Sequence, residues 1–166
     1  MSLFIPNLIL KDITKITLQI LNENNIKGII LDVDNTLTIH GSQDVEQNVL
    51  DWLEFAKQNN IKLMIVSNNT FARVSPFAKK LGIDFVAMGF KPLTFGISRV
   101  MKRFDLPAKN IAVVGDQIYT DIAAGNIKKM FTILVSPFEK ENGFFFKIKR
   151  KLEKRHVKKY YENQMR

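Results

Sequence analysis

The sequence predicts an α/β fold, namely a doubly wound, Rossmann-like parallel sheet of five strands with helices on both faces. Short apolar runs rich in β-branched residues recur along the chain, and helical patterns separate them. Near-continuous apolar runs are typical of strands that are buried on both faces of a parallel sheet. Their alternation with helices indicates right-handed crossovers within one open sheet. With 166 residues, the chain is most simply one domain with a substantial core.

The first predicted elements are a helix, a strand and a second helix. The first helix is predicted over residues 6–25, with apolar positions that include Leu8, Leu10, Ile13 and Ile16. The run 28-GIILDVD follows as a strand. Residues 44–60 then show apolar residues at helical spacing, and Asp44 is predicted to be the N-cap of this helix.

The middle of the chain repeats this alternation. The strand 62-KLMIVSN leads to a predicted helix over 70–82, which Gly82 would end. Pro76 inside this pattern indicates either a kink or a later start. The weaker run 83-IDFVAMG fits a short strand.

The last part of the sheet follows the same pattern. Pro92 is predicted at the first position of a helix that extends to about residue 106. Its residues facing the sheet are predicted to be Phe95, Val100, Met101 and Phe104. The strand 111-IAVVGD, a short helix in 120-TDIAAGNIKKM and the strand 130-MFTILVS complete the fold.

Basic residues are concentrated at the carboxyl end. The formal net charge is +9, and residues 140–166 hold ten Lys or Arg against three Glu. We therefore divide the chain into a nearly neutral core, residues 1–139, and a basic tail with helical character, residues 140–166.

Three interpretations of this tail remain open. On a helix, one arc would hold Phe145, Ile148, Leu152, His156 and Tyr160. This arc would dock a solvated helix onto the core, or the basic residues and the Phe cluster would attach the protein to an anionic membrane surface. Contact with nucleic-acid phosphates ranks third, because we find no recognised nucleic-acid-binding module.

Cysteine is absent from the sequence, which excludes disulfides, thiolate zinc sites and cysteine-nucleophile phosphatase chemistry. This composition is compatible with a reducing cytosol. Lys11 and Asp12 interrupt the amino-terminal apolar patch, so neither a signal peptide nor a membrane-spanning helix is predicted. We expect a cytoplasmic protein, peripheral at the inner face of the membrane if the tail binds lipid.

Polar side chains gather where the predicted strands end. Asp32 and Asp34 follow the first strand, Ser67 and Asn68 follow the second, and Asp116 follows the fourth. The carboxyl ends of parallel strands share one edge of the sheet, where open α/β folds bind ligands. We therefore expect these residues to converge at one rim.

Lys91 and Asp121 complete this set of candidates. Carboxylates gathered at one rim repel each other unless a cation lies among them, and Mg²⁺ prefers such oxygen ligands together with waters and substrate phosphate. Lys91 and Ser67 supply a positive charge and a hydroxyl donor for phosphate oxygens. An ionised carboxylate can attack phosphorus to form an aspartyl-phosphate, while a second carboxyl moves the proton.

These residues occur in the order of the four motifs of the haloacid dehalogenase-like (HAD) phosphohydrolase superfamily, which the sequence resembles. The stretch 32-DVDNT matches DxDxT, and 115-GDQIYTD matches the GDxxxxD form of the fourth motif. Ser67 and Lys91 match the second and third motifs. The resemblance implies that Asp32 is the nucleophile and Asp34 the general acid and base. It implies that Ser67 and Lys91 bind the substrate phosphate, with Asn68 as a neighbouring candidate.

The resemblance also implies a metal site. Mg²⁺ would be held by Asp32, the Asp34 carbonyl and Asp116, and Asp121 would lie close or bind through water. In the sheet order of the superfamily, the first and fourth strands are neighbours, which would bring Asp116 to Asp32.

The segments 26-IKGIILDVDNTLT, 66-VSNN, 89-GFKP and 115-GDQIYTDIAAGN are similar to bacterial subfamily IIIA HAD phosphatases, relatives of mitochondrial phosphatidylglycerophosphate phosphatases. The intervals between motifs are too short for a cap domain. The site should therefore be open, covered only by substrate, a partner subunit of an oligomer or the loop 38-TIHGSQ-43 with His40. An open site suits a phosphatidylglycerophosphate-like lipid or another bulky phosphomonoester.

Three other functions compete with this one. An EF-hand is excluded because Leu37 and Gln43 occupy the positions that need Gly and Glu. A response-regulator receiver places its acidic pair and its phosphorylated Asp on different strands. The remaining alternative is a non-catalytic phosphate-binding or regulatory module that uses the tail to bind RNA or a partner protein.

Overall fold

Six parallel strands form a single sheet in the order β1-β6-β5-β2-β3-β4. The computed structural model describes residues 2–139 and 144–165. The strands are β1 Leu8–Leu10, β2 Gly28–Leu31, β3 Lys62–Val66, β4 Asp84–Val86, β5 Ile111–Gly115 and β6 Phe131–Val135. The doubly wound α/β prediction is confirmed, with one strand more than the five predicted.

Helices lie between consecutive strands, and a further helix follows the last strand. They are α1 Leu18–Glu23, α2 Gln47–Gln58, α3 Phe71–Leu81, α4 Phe95–Phe104, α5 Ala123–Ile127 and α6 Phe144–Gln164. Short 3₁₀ turns cover Ile13–Lys15 and Ala108–Asn110, and a π-helical turn over Ile118–Ile122 precedes α5. Within the described residues, no helix is both long and apolar enough to cross a membrane.

Alternate residues of β2 enter different halves of the core. Ile29 and Leu31 belong to the apolar cluster that includes Trp52 of α2. Ile30 belongs to the cluster that includes Phe104 of α4. All of β2 is therefore buried, as expected for the centre of a parallel sheet with helices on both sides.

The amino-terminal helix predicted over residues 6–25 is wrong. Leu8 and Leu10 lie in β1, which pairs in parallel with β6. The chain then makes a 3₁₀ turn, and Thr17 caps α1 by accepting a hydrogen bond from the Ile20 N–H at 3.3 Å. The edge strand is too short to show a clear periodicity in the sequence.

Two predicted helix starts are also wrong. Helix α2 begins at Gln47, after Glu46, so Asp44 is not its N-cap. Helix α4 begins at Phe95, and Pro92 lies in the preceding turn after a cis peptide bond. Phe95 does not face the sheet, since it is 71% exposed.

The prediction for α3 holds at its carboxyl end. Gly82 follows the last helical residue in the left-handed conformation, at φ 59°, where glycine avoids the strain of a side chain. The helix begins at Phe71 with Pro76 inside it, so Pro76 does not mark a later start.

The carboxyl edge of the sheet brings distant segments together. Leu31 of β2 pairs with Val114 of β5, and the Asp32 N–H continues this ladder to the Val114 carbonyl at 3.0 Å. Asp32 therefore leaves the sheet beside the residues that follow β5. The connections β2–β3 and β3–β4 contain only a loop and one helix each, so neither holds a cap domain.

Candidate active site

Three aspartates form the centre of the site. Asp32, Asp116 and Asp121 each offer a carboxylate oxygen, and these oxygens lie within 4.8 Å of one another. Asp32 follows β2, Asp116 follows the neighbouring β5, and Asp121 lies in the π-helical turn. All three side chains belong to the sequence-predicted metal set, whereas the carboxylate of Asp34 lies outside this cluster.

Gly115 allows Asp121 to join the cluster. A Cβ atom at position 115 would lie 2.2 Å from the Asp121 carboxyl carbon. No side chain can be accommodated at that distance without moving the carboxylate. The absence of a side chain at Gly115 is therefore part of how the cluster is built.

Lys91 is buried between two of these carboxylates. Its ammonium donates to Asp32 Oδ1 at 2.7 Å, to Asp121 Oδ1 at 2.6 Å and to the Val66 carbonyl at 2.6 Å. Burial lowers the pKa of Lys91, but the charges of Asp121 and Asp32 outweigh this and raise it above the ordinary value. The lysine thus stays charged at the position expected for a phosphate ligand.

Asn68 positions Lys91 through the backbone. Its side-chain amide donates to the Lys91 carbonyl at 2.8 Å, and its oxygen accepts from the Lys91 N–H at 2.6 Å. Ser67 is buried at the end of β3, where its hydroxyl accepts from the Asn69 N–H at 3.1 Å. Both residues line the pocket, as does Lys91.

Asp34 has a separate environment. Its carboxylate accepts from Arg73 at 2.8 Å, from the Gly41 N–H at 2.8 Å and from Asn69 at 3.2 Å. Burial raises its pKa, but the Gly41 and Arg73 hydrogen bonds outweigh burial and lower the pKa below the ordinary value. Arg73 lies in α3 and was not predicted as a site residue, because a single arginine near the start of a helix gives no distinctive sequence signal.

The pKa values of Asp32 and Asp116, which follow the neighbouring strands β2 and β5, are shifted in the opposite direction to that of Asp34. Burial raises the pKa of Asp32, the charge of Lys91 lowers it and the charge of Asp121 raises it. The resulting pKa is about 6. Burial and the charges of Asp121 and Asp32 raise the pKa of Asp116 to about 8, although Arg150 lowers it. Both carboxylates are costly to ionise in this arrangement without a further cation.

Arg150 of α6 contacts the cluster and was not among the predicted site residues. It pairs with Asp116 Oδ2 and donates to the Asp116 carbonyl at 2.6 Å and to Glu153 at 2.9 Å. Glu153, the only acid in a run of basic residues from 147 to 159, is buried. That isolated acid was the available signal that one side of the helix faces the core.

The face of α6 that docks overlaps the predicted arc only in part, and His156 of that arc contacts the Tyr119 hydroxyl. Tyr160 is buried as predicted, but Ile148 and Leu152 are 43% and 39% exposed. Polar contacts at Arg150 and Glu153, together with the packing of Val157 and Tyr160, fix the orientation of the helix. Phe145 belongs to the same predicted arc, and its side chain lies outside the described residues.

The site opens into a pocket of about 120 Å³. A cavity of this size has room for several water molecules, which suits a phosphoryl group. His40, Gln117 and Thr120 are also among the residues that line it. The body of any larger substrate must therefore extend outward from the pocket.

The residues present fit a divalent metal ion. Asp116 Oδ1 is buried and has no hydrogen-bond partner among the described residues. A buried carboxylate oxygen without a partner is costly, and here it belongs to the cluster of three carboxylates. An oxygen-coordinated cation would satisfy it.

Comparison with known proteins identifies the family. The model of the mitochondrial PGP phosphatase family matches residues 1–137. This chain belongs to that family. It is therefore a phosphatase of the HAD superfamily, and the comparisons favour an enzyme over the non-catalytic hypothesis.

Two relatives illustrate how widely this PGP phosphatase family extends. The probable phosphatase YqeG of Bacillus subtilis is 38% identical over 152 residues, covering 92% of this chain and 88% of its own. Phosphatidylglycerophosphate phosphatase 1, chloroplastic, of Chlamydomonas reinhardtii is 29% identical over 145 residues, covering 82% of this chain and 54% of its own. The chain thus spans about half the length of that algal relative.

Solved structures support the fold of this family member. An uncharacterized protein from Listeria monocytogenes aligns with a TM-score of 0.55 and 20% identity, covering 70% of this chain and 85% of its own. The 3-deoxy-D-manno-octulosonate 8-phosphate phosphatase of Yersinia pestis aligns with a TM-score of 0.51 and 15% identity, covering 74% and 79%. At these identities the likeness concerns the fold alone.

Proposed function

We propose that this protein is a Mg²⁺-dependent phosphomonoester hydrolase that acts through an aspartyl-phosphate on a lipid of the phosphatidylglycerophosphate type. The observation that carries the proposal is the cluster of Asp32, Asp116 and Asp121, with Lys91 bound to Asp32. An acidic cluster beside a buried ammonium offers both a nucleophile and a place for the phosphate charge.

Asp32, Asp116 and Asp121 would hold the metal, with the Asp34 carbonyl as the further ligand that the HAD resemblance implies. Hard oxygen donors of this kind favour Mg²⁺. Bound there, Mg²⁺ would offset the negative charge of the carboxylates and polarise the phosphoryl oxygens. The unpartnered Asp116 Oδ1 supports this assignment.

Asp32 would carry out the first chemical step. A carboxylate oxygen of Asp32 attacks phosphorus, the P–O bond to the substrate alcohol breaks, and the leaving oxygen takes a proton from Asp34. In the second step, water gives a proton to Asp34 and attacks phosphorus. The bond to Asp32 then breaks, which restores its carboxylate and releases inorganic phosphate.

Asp34 needs to exchange partners in order to carry this proton. Arg73 and the Gly41 N–H favour its ionised form, whereas a general acid must hold a proton at the start of the reaction. Substrate entering beside His40 would loosen the loop that contains Gly41, so that the leaving oxygen replaces one of these partners.

Lys91 and Ser67 would bind the phosphoryl oxygens. Lys91 meets Asp32 and Asp121 with its ammonium, so a phosphate arriving at Asp32 reaches this charge directly. Asn68 would act through Lys91, since both ends of its amide are bonded to the lysine backbone.

An exposed apolar rim beside Lys91 supports a lipid substrate. It consists of Phe71, Met88, Phe90, Leu93 and Phe95, each more than half exposed. Exposed apolar patches next to a pocket usually mark a binding surface, and four of these side chains line a groove of about 510 Å³ together with Arg99. The name of the algal relative points to the same substrate class.

The outer face of α6 supports binding to an anionic membrane. It exposes Lys151, Lys154, Arg155, Lys158 and Lys159, and Leu152 is also exposed among them. Basic residues near an anionic surface each contribute about 1 kcal/mol. A membrane at this face would present lipid phosphates close to the site.

Replacement of Asp32 tests the chemistry. Asp32→Asn should reduce Mg²⁺-dependent hydrolysis of p-nitrophenyl phosphate to background and abolish acid-quenched labelling by a ³²P-phosphomonoester, because the nucleophile is lost. The matched control is Asp51→Asn, which changes an exposed aspartate of α2 and should leave both signals intact. Turnover by Asp32→Asn at more than background would refute the assignment.

A further inference from the structure

Helix α6 contacts four consecutive residues of the segment that follows β5. Arg150 binds Asp116, Lys149 donates to Gln117, Glu153 accepts from the Ile118 N–H at 2.9 Å, and His156 meets the Tyr119 hydroxyl at 3.2 Å. Each residue from 116 to 119 thus has its own partner on one helix. These contacts fix the segment that carries Asp116 and leads to Asp121.

Arg150 makes the contact closest to the chemistry. Its guanidinium holds both Asp116 Oδ2 and the Asp116 carbonyl. A guanidinium presents a rigid fork of donors, so one contact to the backbone carbonyl and one to the carboxylate of the same residue hold the side chain relative to its own backbone. The rotation of the Asp116 side chain is therefore set by α6.

The contact with Arg150 makes the two oxygens of the Asp116 carboxylate inequivalent. Oδ2 is bonded to Arg150, whereas Oδ1 is buried and has no hydrogen-bond partner among the residues that the structure describes. Oδ1 is thereby left available for a cation held by the cluster of Asp32, Asp116 and Asp121. Arg150 occupies Oδ2, so a metal ion bound at Oδ1 would not compete with it.

Glu153 keeps Arg150 in place. Its Oε2 accepts from Arg150 at 2.9 Å, and its Oε1 accepts from the Ile118 N–H. Because Arg150 lies between two carboxylates, its positive charge is balanced locally. Repulsion of an incoming cation is weaker than it would be next to an isolated arginine.

We propose that Arg150 is a positioning residue, which holds Asp116 so that Oδ1 faces the divalent metal, with Glu153 as its support. This inference rests on the metal-dependent part of the proposed function. It assigns a role at the catalytic rim to a helix outside residues 1–137, the part matched by the family model.

Metal affinity distinguishes positioning from competition. If Arg150 positions Asp116, its removal lets the carboxylate rotate and weakens metal binding. If Arg150 instead competes with the metal for Asp116, its removal strengthens metal binding. The two roles predict opposite signs for the same measurement.

The test is a Mn²⁺ titration of the full chain, followed by the electron paramagnetic resonance signal of free Mn²⁺ and repeated with Mg²⁺ as competitor. Arg150→Met should weaken Mn²⁺ binding by about 10- to 100-fold, the usual effect of removing a residue that orients a metal ligand. Arg150→Lys should lose less, because it keeps a charge and one donor. Arg155→Met, an exposed arginine on the same helix, should bind Mn²⁺ like the wild type.

Kinetics provide the second readout. In Arg150→Met the Mg²⁺ concentration for half-maximal hydrolysis should rise, and saturating Mg²⁺ should restore most of kcat, which a merely structural defect would not allow. If Arg150→Met does not fold, Arg150→Lys must still show weaker Mn²⁺ binding. Unchanged or tighter binding by the folded variants overturns the inference.

Failure of this inference can be separated from failure of the proposed function. A wild-type protein that binds Mn²⁺ but hydrolyses no phosphomonoester refutes the function, and Arg150 is then judged on metal binding alone. A protein that hydrolyses phosphomonoesters while Arg150→Met binds Mn²⁺ normally refutes only the role of Arg150.

Discussion

Lys91 shows how one residue can serve two states of the site. Its ammonium has three acceptors, and two of them are the carboxylates of Asp32 and Asp121. In the proposed reaction the same ammonium meets the phosphate. The lysine therefore exchanges carboxylate contacts for phosphate contacts without an uncompensated buried charge at either stage.

At the same scale, Gly115 permits a test of the metal cluster. Gly115→Ala should displace Asp121, since the added Cβ would lie 2.2 Å from the carboxyl carbon. We expect the Mg²⁺ concentration for half-maximal hydrolysis to rise about tenfold and the free energy of unfolding to fall by about 1–3 kcal/mol. Mg²⁺ titration of p-nitrophenyl phosphate hydrolysis and urea unfolding measure the two effects.

Gly28→Ala is the matched control for Gly115→Ala. It places a Cβ at 2.7 Å from the ring of Phe104, at the opposite end of the sheet from the carboxylates. It should cost stability but leave the Mg²⁺ requirement unchanged. A normal Mg²⁺ requirement in Gly115→Ala would show that Asp121 does not contribute to the metal site.

At the scale of elements, α6 has two faces with different tasks. The inner face holds Arg150 and Glu153 against the segment after β5, whereas the outer face is basic and carries the exposed Leu152. The apolar rim lies at the first residues of α3 and α4 and in the segment between β4 and α4. A membrane would be contacted by the rim and by the outer face of α6.

Vesicle binding tests this arrangement. Replacing Lys151, Lys154, Lys158 and Lys159 with Gln should weaken sedimentation with vesicles that contain an anionic lipid by at least about tenfold, given about 1 kcal/mol for each basic residue near the surface. Raised NaCl should weaken wild-type binding in the same way, because salt screens exposed charges. Hydrolysis of p-nitrophenyl phosphate should not change.

Neutral vesicles and a rim variant are the controls for that experiment. Neutral vesicles should bind wild type and lysine variant equally weakly. Phe90→Ser with Phe95→Ser should weaken anionic-vesicle binding without altering its dependence on salt. Binding to anionic vesicles that is insensitive both to the lysines and to NaCl would contradict a membrane role for α6.

At the scale of the whole molecule, the strands at the centre of the sheet and their polar ends were predictable. Their apolar runs are distinctive, and the parallel topology then brings Asp32 and Asp116 to one edge. β1 was not predictable because three residues are too few to show a period. Arg150 was not predictable because it reaches Asp116 by tertiary docking, and its neighbours in sequence are equally basic.

The raised carboxyl pKa values predict how global stability depends on pH. An acid whose pKa is higher in the folded state stabilises the fold at low pH and loses that contribution as pH rises through the folded value. For Asp32 and Asp116, this contribution is lost between their ordinary pKa of 3.8 and a pH of about 8. Asp34, whose pKa is lowered, changes the free energy of unfolding with pH only below that ordinary value.

Urea unfolding in EDTA should therefore give a lower free energy of unfolding at pH 8 than at pH 5, since Asp32 and Asp116 then ionise without a metal. Saturating Mg²⁺ should remove most of this difference, because the bound ion compensates the carboxylates. Asp116→Asn should reduce the pH dependence in EDTA. Stability that increases from pH 5 to pH 8 in EDTA would contradict the prediction.

The pairing of β2 with β5 joins segments far apart in the chain, with Gly28 opposite Ile111. Contacts between distant segments form slowly during folding, because the entropy of closing the loop is lost before any contact is gained. Asp32 and Asp116 come together only when this pair forms. The rate at which a refolding chain binds a divalent ion would therefore report the rate at which β2 pairs with β5.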